Sequence, residues 1–247
     1  MGTFFLGVLA SVVAALFLSL MAYLLGFGRA SLKDARYAWQ VTRRLRRNGI
    51  LNFFANRSEY VKHRKNGTIR DYLRTAEHSI SYVGFWLAHG VEISNIGHEL
   101  ASLAKEGKFV EVVLLNPKSE LIPALSTYLN LPEPSVVKRI NDALSHLQQA
   151  RDSLPADHAH LFRLKLHSQL LTASAFLLDT NKPGAKVLVD FKLFGSDRDN
   201  TFGIEFQELD KTTPSSLSQR VTNAYRKISS SARDFKPPTS THSNNVI

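Results

Sequence analysis

Few side chains in this 247-residue sequence have the type and setting that chemistry needs. The absence of Cys excludes disulfide scaffolds, thiolate zinc sites and cysteine nucleophiles. Asp157-His158-Ala159-His160 spaces two imidazoles so that they could bind a metal, yet no third ligand stands in a recognised arrangement with them. A solvated loop is therefore expected there, and no metal. His89 and His98 flank the loop after the first β-rich run, Ser79 to Leu87. Open α/β sheets place ligands at strand carboxyl ends, which makes His89 a ligand-binding candidate. Trp86, at the end of the same run, carries an indole suited to stacking on a ring, and Asn116 ends the next run, where it could face the same crevice. Lys192 and Glu205 interrupt late apolar runs and read either as a buried ion pair or as a polar pocket floor. His167, at a strand end, reads as a structural or ligand-touching imidazole. Glycine-rich phosphate loops, a Ser-x-x-Lys pair and a dinucleotide fingerprint are absent from the sequence, so no cofactor is expected.

The elements that would position these groups follow from periodicity and punctuation. Asn48-Gly49 and Asn66-Gly67 bracket a short helix-like piece, Ile50 to Arg64, and Thr68 with Asp71 opens a helix running to Glu77. The run SISYVGFWL (Ser79 to Leu87), a helix from Ser94 to Lys105 closed by Gly107, and FVEVVLL (Phe109 to Leu115) form one β-α-β unit of a parallel sheet. Helices are expected over Ser119 to Leu129 and Ser135 to Ser153, split by Pro132 and Pro134. Four β-like runs follow: Leu161 to His167, Leu171 to Leu178, Lys186 to Phe194 and Phe202 to Gln207. A last helix, Pro214 to Arg233, precedes a Pro/Ser/Thr/Asn-rich tail expected to be disordered. The expectation is one α/β domain with a mixed sheet and helices on both faces.

Charge is partitioned as sharply as hydrophobicity. Residues 1 to 28 carry no charged side chain, and Thr3 to Phe27 is an uncharged run of 25 residues. As a helix it would reach about 37 Å, more than the roughly 30 Å hydrocarbon core. Nothing basic precedes it, so an uncleaved single-pass anchor is expected rather than a signal peptide. Arg29, Lys33, Arg36, Arg43, Arg44, Arg46 and Arg47 follow directly against one Asp, a net +6 over residues 29 to 47. The positive-inside rule places the short N-terminus outside and the C-terminal domain in the cytoplasm. Residues 48 to 78 add +3, which leaves only +1 of the chain's +10 for the remainder. A nucleic-acid binder would carry this charge on its recognition domain; here an anionic inner leaflet is the expected partner, and nucleic acid is not.

The phrases RDYLRTAEHSISYVGFWL, LASLAKEGKFVEVVLLNP, HSQLLTASAFLLD, KVLVDFKLFGSDRDN and FGIEF, in that order, resemble the phospholipase-D-like superfamily over about residues 66 to 230. The resemblance implies an active-site motif His-x-Lys-x-x-x-x-Asp, in which the His attacks phosphorus, the Lys holds phosphate oxygens and the Asp supports the site. Two such motifs meet at one centre, from two halves or two subunits. Aligning TASAFLLD puts Thr172 at the His position, Ser174 at the Lys position and Asp179 at the Asp position. Only Asp179 matches. Threonine has no ring nitrogen to attack with, and serine cannot stabilise a transferring phosphoryl group with positive charge. Gly195, Ser196 and Asn200 resemble the family's Gly-Ser-x-Asn region with altered spacing. An offset reading from His167 fails twice, because Gln169 stands where Lys is needed and Ser174 where Asp is needed.

The resulting expectation is a transmembrane anchor (1–28), a basic juxtamembrane helical linker (29–65), a phospholipase-D-like domain (66–235) and a tail (236–247). Its function would be that of a non-catalytic pseudoenzyme, acting as a sensor of a phosphorylated ligand or as a protein-interaction scaffold. A membrane-bound phosphodiesterase, nuclease or phospholipase, with a non-standard active site is the alternative. With one motif-bearing half per chain, a homodimer is expected.

Overall fold

The β-rich runs assemble into one sheet. In the computed structural model, which describes residues 34–55, 69–87, 93–195, 201–208 and 216–236, eight strands pair in the order β1-β7-β6-β5-β2-β3-β4-β8. They are β1 (Ile50–Phe54), β2 (Ser79–Gly84), β3 (Phe109–Leu115), β4 (Phe162–His167), β5 (Ala173–Leu178), β6 (Lys186–Phe191), β7 (Phe202–Gln207) and β8 (Arg233–Asp234). The helices are α1 (Ile69–Arg74), α2 (Ile93–Lys105), α3 (Ile122–Leu129), α4 (Glu133–Asp152) and α5 (Leu217–Ser231). The chain divides into two compact units, Met1–Arg47 and Asn48–Ile247. Of the first unit the described part is helical, 34–47, with every residue exposed. No helix among the described residues is long and apolar enough to cross a membrane. The expected anchor, 1–28, lies outside them, as does the tail from 237.

The sheet is mixed. β2 pairs parallel with β3, and β3 with β4, each crossover being helical as parallel pairing requires. The remaining pairs are antiparallel. Every residue of β5 is buried, as is β3 after its first, so both faces of the sheet's centre are covered. On one face Ser229 of α5 donates to Glu111, whose carboxylate also sits 2.6 Å from Lys165. The α2–α3–α4 layer covers the other. The apolar positions of α4, Val136, Ile140, Ala143, Leu144, Leu147 and Ala150, recur at helical spacing and are buried as one stripe. Tyr82 packs on Phe176 across the β2–β5 pair with ring centroids 4.8 Å apart.

Local chemistry sets the boundaries. Gly107, at φ +87°, closes α2 with Gly107 N–H donating to Ala104 and Lys108 N–H to Leu103, the αL ending that glycine allows without strain. The Ser216 hydroxyl accepts from Gln219 N–H at the start of α5. Two strands depart from the sequence reading. Ile50–Phe54 is an edge strand rather than the start of a helix, and it pairs with β7. Ile and Phe suit a pleated surface, and the long-range pairing overrides a short window with no clear period. β8 is two exposed residues, too short to leave a pattern. It nonetheless covers the outer edge of β4.

Candidate functional site

β2 is the point from which the sheet grows both ways. The chain leaves it towards β3 and β4, then returns across the strand ends to β5 on its other side. Such a reversal opens a crevice at the carboxyl ends of the strands. Antiparallel pairing brings the start of β5 and the end of β6 to that same edge, with Ser174 opposite Asp190. Backbone bonds close the edge from strand to strand: Leu115 N–H donates to Phe85 O, and Asn116 N–H donates to His167 O at 2.8 Å.

His167 locks this edge from within. Gln169 N–H donates to Nδ1 at 3.2 Å, so the ring proton sits on Nε2, which donates to Gly84 O at 3.2 Å. Burial holds its pKa below the ordinary histidine value despite the two backbone bonds, which pull upward. The imidazole is therefore neutral, with both nitrogens committed to the backbone. It neither attacks nor shuttles a proton without breaking the link between β4 and β2.

Beside that link, Ser174 is 1% exposed and its hydroxyl has no hydrogen-bond partner among the described residues. Gly84 faces it. A Cβ on Gly84 would fall 2.7 Å from the Ser174 Oγ and would collide with the Tyr82 hydroxyl, which donates to Trp86 O. The slot is filled from all these sides. Lys192, just past the end of β6, lays its ammonium 4.7 Å from the Trp86 ring centroid and 5.7 Å from that of Phe85, while Arg139 of α4 lies 5.7 Å from Trp86. Tyr128 of α3 donates to Lys192 O at 2.5 Å and fixes that loop. Above these groups Leu170, Leu193 and Phe194 are 64%, 50% and 70% exposed.

The structure thus brings Trp86, Asn116, His167, Lys192 and Ser174 to one edge. Trp86 is only 4% exposed, which corrects its expected role: the indole is a buried platform for two cations and is not open to an incoming ring. Asn116 uses its Oδ1 to accept Lys118 N–H in a turn. Thr172 is exposed at the start of β5. Asp179 stands at the opposite end of β5, at φ +52°. Its carboxylate accepts from Glu77, His78 and Ser79 N–H at 2.7–2.8 Å. Burial pushes its pKa up, but these three donors outweigh burial and leave the pKa lowered. Glu205 is buried two positions inside β7, paired with Asn52 of β1 at 2.5 Å. Three strand spacings, about 14 Å, separate its register position from Tyr82, so it is no floor to this crevice.

His89, Ser196 and Asn200 lie outside the described residues, and His98 is exposed on α2. His158 contacts Asp157 at 2.9 Å, and no group of three His, Asp or Glu among the described residues could hold a metal. Sequence reasoning missed Gly84 and Arg139. Only the small residue inside a β-rich run signalled the first, and nothing local signalled the second. A groove of about 920 Å³ lies elsewhere, on α3 and α4, lined by Ser126, Val137, Lys138 and Asn141 among others. None of the crevice residues lines it. No protein-family model matches this chain, and no curated protein matches it.

Proposed function

We propose that the chain is a membrane-anchored, phospholipase-D-like domain without phosphodiester chemistry, held on the cytoplasmic side, that uses the outer rim of its strand-end crevice as a protein-interaction surface. One observation carries the reading. The only imidazole among the described residues of that edge, His167, is neutral and doubly tied to backbone, while Thr172 and Ser174 supply neither a nucleophile nor a phosphate clamp. The mixed sheet with helices on both faces and the motif-like strand β5 at its centre are in keeping with the family resemblance. Filling of the slot behind Ser174 favours recognition at the rim over enclosure of a small phosphorylated ligand. Self-association about a two-fold axis belongs to the same reading, because one chain has one motif-bearing strand.

The test is turnover by the full chain in detergent on DNA, RNA and phospholipid, with His167→Ala alongside. No phosphodiesterase activity is expected. Metal-independent turnover abolished by His167→Ala would sink the proposal and promote the enzyme alternative. Orientation has its own test: the sequons Asn56-Arg57-Ser58 and Asn66-Gly67-Thr68 should stay unglycosylated in a secretory-pathway host, and a glycan at either reverses the topology.

A further inference from the structure

We infer that helix 34–47 lies along an anionic lipid surface with Tyr37, Val41 and Leu45 submerged and its arginines at headgroup level. The inference rests on the membrane placement proposed above and goes beyond it in giving the helix an orientation and a charge requirement. At 3.6 residues per turn, Tyr37, Val41 and Leu45 fall on one stripe spanning about 80°, with Asp34 at its N-terminal end and Ala38 and Arg44 at its two borders. Arg36, Arg43 and Arg47 project from the other side, roughly 120–160° from Val41. Among the described residues, Tyr37, Val41 and Leu45 are 70%, 37% and 43% exposed. Trp39 lies about 160° from Val41, on the arginine side between Arg46 and Arg43, 59% exposed, with the Arg43 guanidinium 5.1 Å from its ring.

Charge selects the occupant. Five arginines against one aspartate over 34–47 suit an anionic leaflet or a nucleic acid, but a nucleic acid offers the apolar stripe nothing to bury against. A second copy of the helix could cover the stripe, at the cost of bringing ten arginines together. A lipid surface satisfies both faces at once. The uncharged run at 3–27 delivers the helix to such a surface.

The experiment uses the full chain in vesicles of phosphatidylcholine, with and without one-third phosphatidylglycerol. The chain has no Cys, so Val41→Cys, Leu45→Cys, Arg43→Cys and Arg47→Cys each take a single spin label. With phosphatidylglycerol, labels at 41 and 45 should meet a lipid-soluble relaxant and be several-fold less accessible to an aqueous nickel chelate than labels at 43 and 47. Without it, or at about 1 M salt, where the Debye length is about 3 Å, that difference should collapse. Replacing Arg36, Arg43 and Arg47 by Gln should abolish it for the label at 41. Equal aqueous access at all four positions in a chain that resists carbonate extraction overturns this inference and leaves the anchor standing. Release by carbonate overturns both. Labels at 41 and 45 shielded from both relaxants, with dipolar broadening between copies, assign the stripe to a second copy instead. Protection of 43 and 47 alone by added RNA or duplex DNA assigns the basic face to nucleic acid, and either result overturns the proposal.

Discussion

Asp179 ties the end of β5 to the start of β2, and its work is measurable without any ligand. Its two carboxylate oxygens accept three consecutive backbone N–H groups, Oδ2 from Glu77 and Oδ1 from His78 and Ser79. Asp179 N–H donates in turn to Ser79 O. The clamp fixes where β2 begins relative to the end of β5, and so sets the register that places Gly84 beside Ser174 at the other end. A hydrogen bond to a charged group contributes about 1.5–3 kcal/mol where water is excluded. Only the Ser79 bond is partly buried, so the Glu77 and His78 bonds are discounted to about 0.5 kcal/mol each. Removing all three should cost about 2.5–4 kcal/mol. The φ of +52° adds a second effect, because alanine in the left-handed region costs about 1–2 kcal/mol that glycine avoids.

The expected order of stability is therefore wild type, then Asp179→Asn, then Asp179→Gly, then Asp179→Ala. Asparagine tolerates the left-handed region and keeps one acceptor oxygen, so it should lose about half of the clamp. Urea titration of the full chain in detergent reads the series through Trp86 fluorescence, with Trp39→Phe removing the other tryptophan. With a slope of about 2–3 kcal/mol per M, the alanine variant should shift its midpoint down by more than about 1 M. The pH dependence follows from the lowered folded-state pKa. Above the unfolded value both states are ionised and the stabilisation is complete; as pH falls from about 4 through the lowered folded value, the carboxylate is protonated and the stabilisation is lost. The gap between wild type and Asp179→Asn should narrow over that window. An alanine variant within about 0.5 kcal/mol of wild type, or one indistinguishable from asparagine, would falsify the clamp.

Gly84→Ala should destabilise by about 1–3 kcal/mol, read in the same urea assay, because its Cβ has no room between Tyr82 and Ser174. Ser174→Ala should be neutral or slightly stabilising, since it removes a buried hydroxyl with no partner among the described residues; a clear loss of stability would mean that the hydroxyl is satisfied in solution. Lys165→Met should cost about 3–5 kcal/mol by leaving buried Glu111 uncompensated, and Lys165→Met with Glu111→Leu should recover most of that in a double-mutant cycle.

The parallel unit was legible because SISYVGFWL and FVEVVLL are β-rich runs bracketing a helix with a glycine stop, a pattern that local chemistry enforces. The crevice was legible only as a place. Asn116, His167 and Lys192 stand at strand ends, and strand ends are readable. What those groups do there is set by contacts across the sheet: Trp86 reads as a stacking ring until Arg139, 53 positions away, covers it. Glu205 reads as a partner for Lys192 until β1, misread as helix, brings up Asn52. Both errors come from pairings that no local window contains.

The same contacts decide whether the catalytic pair of the proposed family could be built into β5. If Thr172 and Ser174 were the sole lesions, Thr172→His with Ser174→Lys should rebuild a nucleophile and a clamp. Ser174 is 1% exposed and its Oγ already lies 2.7 Å from where a Cβ on Gly84 would stand. A lysyl chain there must carry its ammonium through a slot closed by Tyr82 and Trp86, with Lys192 and Arg139 already about that indole. A third cation entering that space would be both desolvated and repelled. The double variant should therefore lose stability, with a lowered urea midpoint, and should gain no turnover on a chromogenic phosphodiester. Turnover in that variant with stability intact would mean that the slot opens in solution, and the pseudoenzyme reading would then rest on two side chains rather than on a closed crevice.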